Sequence, residues 1–509
     1  NASLTSASEC NGYLWKGIEL QGNEAQKQVL SGSYYPNHGW CVITNNATIK
    51  NAEIGIKNYA TINGDGWSID WSKMGGGIIQ STNGKFLNCS ESAKFISYTN
   101  KNALNQPIND KSFFTTTQFL TDATTAIANF VPRYHLTMWE TRGIGITSNT
   151  FKNTTPSSYA TNVRGIGIVA WDAIFLTNTP CLVFNGASDC KTYGTPNTFE
   201  NLYYGIDAGA SVATKIVNIN VSKFTNTHRS IILRGTTQSS VFRNTINIGE
   251  AFTEPTGVGT AMAVSYPYGL YLDVCDAYNV KENIINDNTN NAADIDYGII
   301  VSNTGINANM LKQNTFSNVA YGIQAQEENY ALQLKCNKFT TATINAADVK
   351  VMGLQMQGSI AQQQGACSQN VTDLPGNEFS HTCGTAKDLN SNGNLLYPIV
   401  YNTRSTVAAE VPQPGCYDNV NFSTNSCYPP PSGVVCPPPT GGHLRTAQTN
   451  ANQTINSMSN LIAAKQQLLA DADAQSLYTS INNGTVETTL KQNLIQIGPY
   501  LSDNVLLAF

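Results

Sequence analysis

An all-β solenoid, a parallel β-helix followed by a proline-rich linker and a small α-helical tail, is the fold this sequence predicts, and three observations predict it. The first is a returning phrase. Tyr204-Gly205-Ile206, Tyr268-Gly269-Leu270, Tyr297-Gly298-Ile299 and Tyr321-Gly322-Ile323 are versions of it, each near an Asn-x-Phe or Asn-x-Ile phrase such as Asn197-Thr198-Phe199, Asn283-Ile284-Ile285, Asn314-Thr315-Phe316 or Asn337-Lys338-Phe339. The second is its period: Tyr297 to Tyr321 is 24 residues and Phe316 to Phe339 is 23, within the range of repeat arrays. The third is alternation. Aligned on the glycines, Ile206, Leu270, Ile299 and Ile323 share one column and Ala208, Leu272, Val301 and Ala325 another, with Asp207, Tyr271, Ile300 and Gln324 between them. Period two means strand, with the first two columns facing inward.

A strand of about five or six residues in such a unit leaves room for two more short strands and no helix. Each coil then stacks on the last, because none buries its apolar face alone. The recurrent asparagines suit this scheme twice over: they tolerate left-handed backbone at turns, and stacked in a column they hydrogen-bond from coil to coil.

Taken in order, residues 1–75 read as capping coils. Trp15-Lys16-Gly17-Ile18-Glu19-Leu20 and Ala47-Thr48-Ile49-Lys50 are strand phrases, and Trp15 suits the open end of the stack. The β-helix is assigned to residues 76–427, with a Thr-, Asn- and Phe-rich stretch at about 100–133 read as a loop thrown out from one coil and 365–401 as a final irregular turn. Tyr428-Pro429-Pro430-Pro431 and Cys436-Pro437-Pro438-Pro439 mark residues 428–442 as an extended linker. In 443–509 the period changes: Ile455, Met458, Ile462, Leu468 and Leu469 share one helical face and Leu490, Leu494 and Ile497 another. The apolar finish Leu506-Leu507-Ala508-Phe509 has no cap, so the natural polypeptide is expected to continue; with no leader at Asn1, the chain reads as a mature product or an excised fragment.

Charged residues are only 12% of the 509, and the net charge is −5. That gives no basic footprint for nucleic acid or an anionic membrane, and no run of 18 apolar residues predicts a membrane span. Twelve cysteines without a CxxC, and five scattered histidines, argue against zinc. Disulfides in an oxidising compartment are the alternative, with Cys181 and Cys190 as a pair and Cys367, Cys383, Cys416, Cys427 and Cys436 as further candidates. Cys336, in the alternation Leu332-x-Leu334-x-Cys336, reads as an inward-facing core thiol.

Several ordered phrases together resemble a known group. Trp15-Lys16-Gly17-Ile18-Glu19 with Asn46-Ala47-Thr48-Ile49 and Asn51-Ala52 is similar to its first coils; Met138-Trp139-Glu140 and Gly145-Ile146 leading into Asn149-Thr150-Phe151 to a second block; Leu334-Lys335-Cys336-Asn337-Lys338-Phe339, Gln357-Gly358 and Gly376-Asn377-Glu378-Phe379-Ser380 to its closing coils; and Pro499-Tyr500-Leu501-Ser502-Asp503 to a phrase beyond. The group is the right-handed parallel β-helix proteins secreted by Bacteroidota, many through the type IX secretion system. The resemblance implies a secreted or cell-surface protein without assigned chemistry. Such proteins commonly end in a β-sandwich sorting domain, which no part of residues 1–509 resembles.

Parallel β-helices also carry polysaccharide lyases and glycosidases, which need carboxylates, alone or with Lys or Arg, on neighbouring coils of one outward face. The candidates are Asp207, Asp273, Asp276, Asp294 and Asp296, with His228, Arg229 and Arg234. Asp273 aligns with Gly209, Ser302 and Gln326, so no acidic column forms there. The aspartates read as turn and surface residues, a loose calcium site being the other use of their oxygens; no other cofactor is indicated. Trp67, between Asp65 and Asp70, is a candidate sugar platform or an end-cover for the core.

The leading reading is a non-enzymatic extracellular or cell-surface module, adhesin-like or structural, with glycan or surface protein as partner. A carbohydrate-active lyase or hydrolase is the second. An assembly module acting through the helical tail is the third. The oligomeric state is not encoded in anything legible.

Overall fold

The computed structural model describes residues 2–436 except 7–11, 32–33, 63–68, 71–74, 103, 123–126, 128–129, 186–188, 213, 250–265, 288–294, 341–345, 353–359, 369, 371–372, 382, 385, 392–398, 404–406, 418–421 and 428–435. The helical segment 443–509 and the linker 428–442, apart from Cys436, thus lie outside the described residues, as do Asp65, Trp67 and Asp294. A second compact unit, 30–34 with 442–509, is described only at residues 30, 31 and 34, where Ser31 and Tyr34 exchange backbone hydrogen bonds.

Among the described residues three parallel sheets of eleven, twelve and ten strands wind together, one strand of each per turn of chain. Thr198–Glu200, Tyr204–Gly209 and Val217–Asn220 make one such turn, and Lys223–Thr227, Arg229–Arg234 and Ser240–Phe242 the next. This is a parallel β-helix, and the only helices described are 3₁₀ turns such as Pro156–Ser158 and Thr161–Val163. No helix of the described residues is long and apolar enough to cross a membrane.

The inward columns run as the glycine register predicts. Ile168, Ile206, Ile231, Leu270, Ile299, Ile323 and Val349 pair in succession through the second sheet, all buried. The coil at Arg229–Arg234 belongs to the same column although it lacks the Tyr-Gly phrase. In the first sheet Phe86, Phe119, Phe151, Phe199 and Phe224 stack face to face at 4.6–5.1 Å. These rings explain the recurring glycine, which turns the corner from the first sheet to the second. A Cβ on Gly205 would sit 2.6 Å from the Phe224 ring, and one on Gly298 or Gly322 would meet Phe316 or Phe339 as closely.

The asparagines divide into two populations. Asn51, Asn88, Asn201 and Asn318 take positive φ at the turns after first-sheet strands, and Asn226 does so at the irregularity within Lys223–Thr227. Asn244, Asn283, Asn314 and Asn337, each directly before a first-sheet strand, do not; they form a ladder. The backbone N–H and side-chain amide of Asn244 both donate to Asn283 Oδ1 at 3.0 Å, and the same double contact runs on to Asn314, Asn337 and Asn377 at 2.9–3.1 Å. Each of the first four amides also donates to a third-sheet carbonyl: Ile219, Val241, Val280 and Leu311. The ladder ends on the Tyr401 hydroxyl, 2.9 Å from the Asn377 amide. Left-handed backbone falls one residue earlier, on Ser148, Val221, Arg243, Glu282, Gln313 and Cys336, at φ of 50–58°.

That turn corrects the reading of Cys336. Its third-sheet strand, Leu332–Lys335, stops one residue short, and the left-handed step takes the thiol out of the inward alternation to a disulfide with Cys436. Cys181–Cys190 closes a small antiparallel hairpin, and Cys367–Cys427 and Cys383–Cys416 complete the bonds described. Such bonds belong to an oxidising compartment such as the cell exterior. Cys89 and Cys275 are buried free thiols.

Other stretches are more regular than their composition implies. Strands Phe113–Thr115 and Gln118–Thr121 lie inside 100–133 and join the third and first sheets, so 100–133 is not a single uninterrupted loop. Residues 1–75 already supply strands to all three sheets, and Trp15 packs on the first coil with its indole donating to Lys50 O at 2.8 Å. Within 365–401, Lys387–Ser391 extends the second sheet, and Ile399–Thr403 pairs with Gln363–Gln364 and Phe422–Ser426.

Replacing Asn314 with Ala removes the acceptor of two Asn283 donors, and chemical denaturation is expected to show a loss of about 3 kcal/mol; an unchanged unfolding free energy would contradict the ladder's role. His135 occupies a corner position between the Phe119 and Phe151 rings, where burial holds its imidazole down at about 3. The unfolded chain takes up that proton below about 6.5, so stability present above that pH is lost as pH falls through about 3, by as much as about 5 kcal/mol. The expected result for His135→Gln is a flatter acid limb in thermal melts between those values. Peptide mapping of unreduced protein is expected to return the four disulfides. Alkylation in the folded state should spare Cys89, whose thiol burial pushes up to about 12.

Candidate tyrosine-lined groove

The Tyr of each Tyr-Gly phrase opens a second-sheet strand on the outward side of the corner. Tyr204, Arg229, Tyr268, Tyr297 and Tyr321 therefore stand in register on five successive coils. Tyr297 and Tyr321 stack at 5.1 Å, Tyr266 meets Tyr297 edge-on at 6.1 Å, and Tyr268 meets Tyr271 edge-on at 5.7 Å. Between this column and the outward residues Ile232, Tyr271, Ile300 and Gln324 runs a groove of about 390 Å³, with Arg234 and Gln326 along its far side. Burial raises the phenol pKa of Tyr268, Tyr271 and Tyr297, so these hydroxyls stay neutral, able to donate and accept.

Arg229 takes a tyrosine's place in the column. Its guanidinium carbon lies 5.2 Å from the Tyr204 ring centroid, 5.3 Å from that of Tyr268 and 5.5 Å from that of Tyr203, and it donates to the Tyr204 hydroxyl. At the other end of the same strand, Arg234 is ion-paired with Asp207. The outermost column continues the aromatic character toward earlier coils. Trp139 and Trp171 are neighbours in register, 38% and 46% exposed, and the Trp171 ring lies so close over Gly209 that a Cβ there would sit 2.3 Å from it.

The aspartates proposed from sequence are spread out. Asp273 ends its strand beside Arg234 in register, at the edge of the groove. Asp276 lies in the next turn, accepting from Ala277 N at 2.9 Å and from Asn307. Asp296 is buried and accepts from Ala320 N of the following coil at 2.6 Å, a tie between coils. His228 is buried against the Tyr203 ring at 5.6 Å, so of the pair His228-Arg229 only the arginine lines the groove. Asp70 contributes a backbone hydrogen bond to Ala60. Among the described residues no three His, Cys, Asp or Glu side chains are grouped to hold a cation. The tyrosines were visible in the sequence only as a mark of the repeat; they share the parity of the inward Ile206 and Ala208 columns, so alternation alone points them inward, and it is their place at the start of the strand that turns them out to line the groove.

No protein-family model and no curated protein matches the chain. Two solved structures do. Tailspike protein 3 of bacteriophage CBA120 is 9% identical at a TM-score of 0.27, over 78% of this chain and 57% of that one. A tailspike protein mutant of E. coli bacteriophage HK620, in complex with a hexasaccharide, is 12% identical at a TM-score of 0.21, over 72% of this chain and 64% of that one. This chain thus spans less than two thirds of either.

Proposed function

We propose that the chain is a noncatalytic, extracellular glycan-binding module whose ligand lies along the outward face of the second sheet. The observation that carries this reading is the column of tyrosines over the groove, with Trp139 and Trp171 on earlier coils in the outermost column of the same sheet. Flat rings with neutral hydroxyls match the apolar faces and hydroxyl rims of sugar rings. A surface with few charges suits a polar, largely uncharged polymer better than a folded partner chosen by charge. The resemblance described above supports a finer placement among secreted β-helix proteins of Bacteroidota. The segment 443–509, whose apolar residues recur with a helical period in the sequence, is the part we assign to docking on other surface proteins.

Cleavage is the competing reading, and the carboxylates at the groove, Asp207 and Asp273, are where it would begin. A glycan array read beside a polysaccharide-degradation assay separates the two. The expected result is retention without products, with Tyr271→Ala and Tyr297→Ala each weakening binding roughly fivefold, the loss of about 1 kcal/mol of ring contact. Product release at turnover rates would overturn the noncatalytic reading, and full binding by both variants would move the ligand off this face.

A further inference from the structure

We infer that the groove takes an acidic glycan, a polymer carrying sugar carboxylates, and that one carboxylate seats on the guanidinium of Arg229. The inference rests on the glycan reading of the groove and narrows it to a substrate class.

It begins from an imbalance of charge. The chain carries 34 acidic against 29 basic side chains, and several of its partly buried cations are ion-paired. Arg234 pairs with Asp207, Arg243 with Glu282 at 2.6 Å, Lys57 with Glu19 at 3.1 Å and Lys94 with Glu91 at 3.2 Å. Arg229 has no carboxylate within ion-pair reach among the described residues. Its polar contact is the one Tyr204 hydroxyl, and its Nε is buried without a hydrogen-bond partner. No tyrosinate offsets the charge either, because burial keeps the Tyr268 phenol protonated. The acids nearest Arg234 are Asp207, its ion-pair partner, and Asp273, its register neighbour on the next coil. Neither is ion-paired with Arg229, so the charge of Arg229 is left over.

Geometry makes that charge selective. A guanidinium held between the Tyr204 and Tyr268 rings cannot swing away, and its planar fork of donors fits a carboxylate in two parallel hydrogen bonds. An acceptor is left over as well: Gln324, 3% exposed, lines the same groove with its Oε1 unpartnered among the described residues. A ligand offering one anion and several hydroxyls beside flat ring faces answers all three features. A uronic acid or another carboxylated sugar is such a ligand.

The test uses the full chain against polygalacturonate, alginate, hyaluronate and polysialic acid, each beside a carboxyl-reduced counterpart in which every carboxylate has become an alcohol. Neutral glucans and galactans complete the panel. The expected result is that at least one acidic polymer binds and that carboxyl reduction weakens it by about tenfold or more. Arg229→Gln should bind both forms at the weaker level, and Arg229→Lys should keep part of the preference. Thermal melts of both variants confirm that the coil is intact. Glycan binding through the groove tyrosines that ignores carboxyl reduction, or that is confined to neutral or sulfated polymers, would overturn the inference and leave the glycan reading standing. Absence of binding to every polymer would bring down both.

Discussion

The structure depends on one constraint: every coil must hand its backbone polar groups to the coils on either side, because nothing else is near enough to take them. Strand ladders meet that demand along the three sheets but not at the corners, where the chain turns. The asparagine ladder meets it there. Each amide accepts two hydrogen bonds from one neighbouring coil and donates to that coil and the next, so a buried corner is satisfied without water. The inward phenylalanines then stack at a strand's spacing, and the glycines that admit them follow from the ring size.

The groove is a by-product of the same repetition. A residue type fixed at one place in the unit becomes a column in the assembled stack, and the tyrosine that opens each second-sheet strand becomes a row of rings. Variation inside the column then supplies chemistry. Where one coil substitutes Arg229 for tyrosine, a cation is set between aromatic faces; where another takes Gly209 in the outermost column, the Trp171 ring settles over bare backbone.

Most of the fold was legible because it is periodic. The columns at Ile206 and Ala208, the coil-to-coil asparagines and the Cys181–Cys190 pair all follow from local pattern. What escaped was aperiodic or nonlocal. The coil at Arg229–Arg234 carries no Tyr-Gly phrase, and 100–133 hides two strands behind a loop-like composition. Cys336 looked inward because alternation was carried one residue beyond the end of its strand, and its partner lies 100 residues away. The site was half legible: Arg229 was in view, but as the neighbour of a histidine. Its true surroundings belong to coils before and after it, and only the stacking register brings Tyr204 and Tyr268 to its two sides.

Three of the four disulfides among the described residues, Cys336–Cys436, Cys367–Cys427 and Cys383–Cys416, tie the closing coils to the chain that follows them. A stack held by nearest neighbours comes apart from an end, as a zipper does, since an inner coil is released only after an outer one has left. With its closing end stitched covalently, the stack acquires a direction: loss of structure advances from the first coils, and the groove, several turns inward, is among the later parts to be reached.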